Sequence, residues 1–107
     1  MIQIRNRFIP TKGYTALFFF GILFVRKNSI ISKTTIRHEK LHEKQCIEML
    51  GIFFYLFYIL EWLFKLAKYK DTKKAYYNIS FEREAYKNQS DLNYLNTRKW
   101  YSWVKYL

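Results

Sequence analysis

His38 and His42, the two histidines of the chain, stand in the stretch His38-Glu39-Lys40-Leu41-His42, which has the pattern H-E-x-x-H. On an α-helix, positions four apart share one face about 6 Å apart along the axis, so two imidazoles can converge on a single cation. Neutral imidazole nitrogen is a preferred zinc ligand, and Glu39 stands where it can take a proton from the water that a catalytic zinc activates. The chemistry this spacing offers is metal-assisted hydrolysis, with His38 and His42 as ligands and Glu39 as general base. The plain alternative is an exposed helix that happens to carry two histidines.

A tetrahedral catalytic zinc takes a third protein ligand and leaves its fourth position to water. Beyond the motif the acidic residues are Glu48, Glu61, Asp71, Glu82, Glu84 and Asp91, apart from Glu43 next to it. Glu82 is favoured, because Ser80 followed by Glu82, Arg83 and Glu84 reads as a helix start with acids near its positive end. Glu84 is the rival if the register is off by two. Either carboxylate could instead be ion-paired with Lys or Arg on a surface helix. The motif itself is placed on a helix from about Thr34 by the hydroxyls of Ser32, Thr34 and Thr35 and by the proline-free run Glu43 to Leu50.

H-E-x-x-H followed by a helix bearing E-x-x-A resembles the gluzincin metallopeptidases, particularly the membrane-associated ones, which carry E-x-x-A-D. The resemblance implies Zn2+ as cofactor and a peptide or protein as substrate. It aligns Glu82 with the third ligand and Ala85 with the small residue that lets two helices approach. Tyr86 stands where that family has Asp, so the contact of that Asp is missing or replaced. His38 to Gln45 reads H-E-x-x-H-x-x-Q, and with the aromatic stretch and Phe81-Glu82-Arg83-Glu84-Ala85-Tyr86 the segment from Ile36 to Asn88 is similar to small bacterial peptidase-like proteins. By the same resemblance, Ala16 to Arg26 is the strand edge that pairs with an extended peptide. Tyr76, Tyr77 and Tyr86 lie near Glu82 in sequence and could stabilise an oxyanion or merely pack.

A length of 107 residues sets one domain with one core. Half of the residues are hydrophobic and 21% aromatic, with three glycines and one proline, which argues against disorder. The single Cys46 makes no internal disulfide and is expected as a core thiol rather than a ligand. A net charge of +11, from 19 basic and 8 acidic residues, favours anionic partners. An anionic membrane surface is one such partner, and Lys65 to Lys74 is the densest basic patch; nucleic acid is less favoured, because no recognition motif is visible.

Two apolar stretches, Tyr14 to Val25 and Leu50 to Leu66, are both short of the roughly 20 residues a spanning helix needs. The first follows the turn signal Pro10-Thr11-Lys12-Gly13, so strands are expected at Ile2 to Ile9 and Ala16 to Arg26, with Gly21 as a bulge. No small-residue cleavage site closes it, so a signal peptide is not expected. The second, Ile52 to Phe64, is apolar on nearly every face. It is either a central core helix or a helix contacting lipid or a partner, with Lys65, Lys68, Lys70, Trp62 and Tyr69 suited to an anionic interface. Glu61 within it would pair with Lys or Arg, or orient a ligand histidine.

The expected architecture is α+β and mainly helical, a minimal zincin-like fold with a short N-terminal β ribbon and three to four helices. The motif helix precedes the aromatic helix to about Tyr69, then come a break at Lys70 to Thr72, the Glu82 helix, and Asp91 to Leu107 as a cap carrying Trp100, Trp103 and Tyr106. The leading function is zinc-dependent hydrolysis of peptide bonds in a cytoplasmic or peripherally membrane-associated protein. The competitors are a basic, aromatic module that binds membrane surfaces or nucleic acid, and a zinc-binding pseudoenzyme.

Overall fold

The computed structural model describes residues 2–9, 16–27 and 29–107. Three strands open the chain, β1 (Ile2–Asn6), β2 (Ala16–Phe19) and β3 (Ile22–Arg26), in the order β1-β3-β2, with β1 parallel and β2 antiparallel to the central β3. Five helices follow: α1 (Lys33–Glu48), α2 (Ile52–Tyr69), α3 (Thr72–Tyr77), α4 (Ser80–Asn88) and α5 (Tyr94–Thr97), then a 3₁₀ helix over Ser102–Tyr106. The class is α+β and mainly helical, as the sequence implies.

Several details differ from expectation. The ribbon is a mixed three-stranded sheet, and the first strand stops at Asn6. The segment Ala16 to Arg26 is a hairpin, not one bulged strand. Phe19 pairs with Ile22 across a two-residue turn whose residues, Phe20 and Gly21, have φ of 47° and 83°. Two-residue hairpins use turns with positive φ at both central positions, and a phenylalanine there is strained. Tyr55 compensates: its hydroxyl accepts the Phe20 N–H at 2.9 Å, and the two rings lie 4.5 Å apart. A continuous apolar run hides such a turn, because only Gly21 marks it. The Pro10 to Gly13 signal lies outside the described residues.

Side-chain caps and left-handed residues set the helix ends. Ser32 caps α1, its hydroxyl accepting the Thr35 N–H at 3.1 Å. At the other end Leu50 takes φ of 56°, while its N–H and that of Gly51 return to the carbonyls of Ile47 and Cys46, a Schellman closure. This break turns the chain by 110° into α2. Asp71 caps the short α3 through the Lys74 N–H at 3.0 Å. Among the described residues Glu61 pairs with no cation and touches no histidine; it reaches from α2 to the start of α4, accepting the Ser80 N–H at 2.8 Å and hydroxyl at 2.6 Å. A carboxylate at that end also meets the positive pole of the α4 dipole.

The core gathers Phe18 from the sheet, Cys46 from α1, Phe54 from α2, Ile79 and Phe81 at α4, and Trp103 from the C-terminal segment. Phe81 is its hub, with its ring 4.6 Å from Phe54 and 4.7 Å from Trp103. Cys46 is thus the core thiol expected, and Trp103 the cap, whereas Trp100 is exposed. The aromatic helix is not central. Phe54 is its one fully buried residue, and its opposite face is open.

Glu61→Ala should lower unfolding free energy by about 1–2 kcal/mol, the range for a lost N-cap, in urea denaturation followed by circular dichroism. Glu61→Gln, which keeps an acceptor, should lose less.

Candidate metal centre

The stripe that α1 buries would ordinarily be aliphatic, yet it holds His38, Glu39, Leu41, His42, Gln45, Cys46 and Glu48. Helix α4, which packs against it, buries Ser80, Phe81, Glu82, Glu84 and Ala85. Ala85 is wholly buried, the small residue that close approach calls for. Buried polar groups are costly without partners, and the two helices supply them to each other.

Where they meet, three donor atoms form a nearly equilateral triangle. His38 Nε2 and His42 Nε2 each lie 3.1 Å from Glu82 Oε1, and 3.1 Å from each other. Ligand atoms at 2.0–2.1 Å from a tetrahedral ion lie about 3.3 Å apart, so the triangle fits a small divalent cation with little movement. His38, His42 and Glu82 therefore form a buried group able to hold a metal ion.

Partners behind the ring fix which nitrogen faces the triangle. Gln45 donates its amide N–H groups to the Phe81 carbonyl at 3.1 Å and to Glu84 Oε1 at 2.9 Å, which leaves its oxygen toward His42 Nδ1 at 2.8 Å. An amide oxygen only accepts, so Nδ1 carries the proton and His42 Nε2 presents its lone pair to the centre. Gln89 Oε1 does the same for His38 Nδ1 at 2.8 Å. Tyr58 donates its hydroxyl to the other Glu82 oxygen at 2.6 Å. Each ligand is thus oriented by one hydrogen bond.

Charge is concentrated here. Burial alone would raise the pKa of Glu82, but His42 and His38 outweigh it and hold the carboxyl well below its usual range. Burial would lower that of His42; Glu82, then Glu39, reverse the sign and push it up to about 9. The centre is a place that demands positive charge. Glu39 behaves differently: burial raises its pKa, and His42, His38 and a hydrogen bond from the Phe18 backbone only partly offset this.

That Phe18 contact links the centre to the sheet. Because Phe19 and Ile22 close the hairpin as a hydrogen-bonded pair, Phe18 and Leu23 form a non-hydrogen-bonded pair, and the Phe18 N–H points off the edge of the sheet. A cavity of about 540 Å³ lies along this edge, between Ala16–Phe19 on one side and Glu39, His42 and Glu82 on the other, with Phe54, Tyr58 and Tyr76 in its wall. Only β2 of the expected edge segment borders it; β3 is covered on both sides.

The rival ligand Glu84 faces elsewhere. It accepts from Arg98 Nε at 2.7 Å and Tyr94 at 2.6 Å, while Arg98 also grips Glu48 through two nitrogens at 2.8 and 2.9 Å. Burial would raise the Glu84 pKa, but the Arg98, Tyr94 and Gln45 hydrogen bonds hold it below the ordinary value. Tyr86 sets its ring edge-on to His38 at 4.4 Å and places its hydroxyl 3.3 Å from that of Tyr76. Of the three tyrosines near Glu82 in sequence, Tyr76 is the one on the cavity wall. Sequence reasoning missed Tyr58, Gln89 and Arg98. Gln45 did carry a signal, three residues past His42 on the same helical face.

Gln45→Ala should weaken metal binding by about 10- to 100-fold, the usual cost of losing a group that orients a ligand, in competition titrations with a chromophoric chelator. A depressed carboxyl stabilises the fold above its unfolded pKa, and that stability disappears as pH falls through the folded value. Wild-type protein should therefore lose more unfolding free energy between about pH 5 and pH 3 than Glu84→Gln does, as read from urea unfolding at each pH.

No protein-family model, curated protein or solved structure matches this chain, so its function is argued from its own residues and their geometry.

Proposed function

We propose that the protein is a small zinc-dependent peptidase of gluzincin-like, minimal zincin-like type, hydrolysing peptide bonds with Glu39 as general base. The observation that carries this reading is the 3.1 Å triangle of His38 Nε2, His42 Nε2 and Glu82 Oε1 beside Glu39, at the wall of a cavity bordered by a strand edge. Two histidines and one glutamate with a fourth position open is a ligand set of catalytic rather than structural zinc. Zinc held there polarises a carbonyl and brings water within reach of deprotonation near neutral pH.

The remaining steps belong to the chain. Glu39 takes the proton of the attacking water and returns it to the leaving amine, and a carboxyl raised by burial suits both halves of that transfer. The open edge of β2 offers an extended peptide a place to pair beside Glu39, through the outward groups other than the Phe18 N–H that Glu39 accepts. Apolar walls from Leu17, Phe19 and Phe54 take a side chain and keep bulk water away. Tyr76, on the cavity wall, is a phenol able to donate to a developing oxyanion, whereas the hydroxyl of Tyr58 is committed to Glu82.

Metal analysis of purified protein should give one zinc per chain, with strong loss in His38→Ala and His42→Ala and weakened binding in Glu82→Ala. Glu39→Gln should keep its zinc yet lose about 10²- to 10⁴-fold in peptide hydrolysis, the range for a general base. Full zinc with no cleavage across a diverse peptide library would rule out the enzyme and leave a metal-binding scaffold.

A further inference from the structure

The helix α2 is built inside out. Four of its polar tips turn toward the protein: Tyr55 accepts from the Phe20 N–H, Tyr58 donates to Glu82, Glu61 caps α4, and Trp62 donates to the Thr72 carbonyl at 3.4 Å. Its outward arc carries Ile52, Phe53, Leu56, Leu60, Leu63 and Phe64, each at least half exposed. At 100° per residue these positions fall within about 120° of arc over three and a half turns, with no polar side chain among them. The surface continues past the N-terminal end of the helix onto Phe20 and Leu50, also exposed.

Water is a poor neighbour for such a face, and a patch of this kind marks an interaction surface. Charge identifies the neighbour. Lys65, Lys68, Lys70, Lys73 and Lys74 cluster at the C-terminal end of α2 and along α3, against one acid, Asp71, which caps α3. Two chains each carrying +11 repel, whereas a negatively charged lipid layer attracts both. Among the described residues no single helix is long and apolar enough to cross a membrane. An apolar face flanked by lysines is the pattern of a helix lying in the plane of the interface.

We propose that the outward face of α2 seats the protein on an anionic bilayer, with the aliphatic and aromatic side chains at the acyl boundary and Lys65 to Lys74 against the headgroups. This does not rest on the metal centre. The test is vesicle flotation of the full chain with phosphatidylcholine alone and with phosphatidylcholine and phosphatidylglycerol at 3:1, alongside sedimentation equilibrium. The expected result is flotation with the mixed vesicles, at least tenfold weaker with the neutral ones and weaker again at high salt. The triple variant Leu56→Gln, Leu60→Gln, Leu63→Gln should lose at least tenfold in binding while keeping its circular dichroism spectrum and a cooperative thermal unfolding transition. Should that variant not fold, Lys68→Glu with Lys73→Glu must show the same loss. Wild-type protein that stays with the soluble fraction overturns the proposal. So do variants that float like wild type, and so does a wild-type dimer that the triple variant dissolves, since the face then covers a second copy.

Discussion

Three lone-pair donors held 3.1 Å apart away from water repel one another unless positive charge sits between them. That constraint governs the arrangement around it. The amides of Gln45 and Gln89 fix the imidazoles, the hydroxyl of Tyr58 fixes the carboxylate, and Glu84 with Arg98 fixes Gln45. Each layer hydrogen-bonds the one inside it, and removing one weakens its neighbour, because a half-satisfied buried network is worse than an apolar one. The inner stripe of α1 is largely polar, and the core draws most of its apolar side chains from the other elements.

Much of the centre was legible in the residues. The four-residue spacing of His38 and His42 places both rings on one helical face, a local property that survives any tertiary context. Glu82 was favoured over Glu84 through the E-x-x-A pattern, and the structure separates them physically: Glu82 faces the histidines, while Glu84 is turned to Arg98. Long-range partners were not legible. Gln89 lies 51 residues from His38, and Arg98 lies 50 from Glu48; no periodicity in sequence encodes such pairs. The hairpin was hidden for a different reason. Its turn contains a phenylalanine at positive φ, a choice that local propensity disfavours and that Tyr55 rescues from another element.

The helix α2 shows what composition leaves open. An apolar segment of this length reads equally as a core element or as one that faces lipid or a partner, and only Phe54 of it is fully enclosed. The described residues cover one side of this 18-residue helix and leave the other open. Tyrosine, glutamate and tryptophan tips then face inward, where the ligand glutamate, the strained turn and the start of α4 need them. What looks like excess hydrophobicity is one element serving two surfaces.

The clamp made by Arg98 has a consequence for how the molecule comes into being. Chain synthesis runs from the N-terminus, so the histidine helix leaves the ribosome well before the guanidinium that steadies its neighbours. Until Arg98 emerges, Glu48 and Glu84 lack the cation that lies between them, and Gln45 is held by a carboxylate that is itself loose. A nascent chain therefore cannot mature its centre early. Assembly of the centre waits on residue 98, and a product terminated ahead of it carries His38, His42 and Glu82 without the cation that joins Glu48 to Glu84.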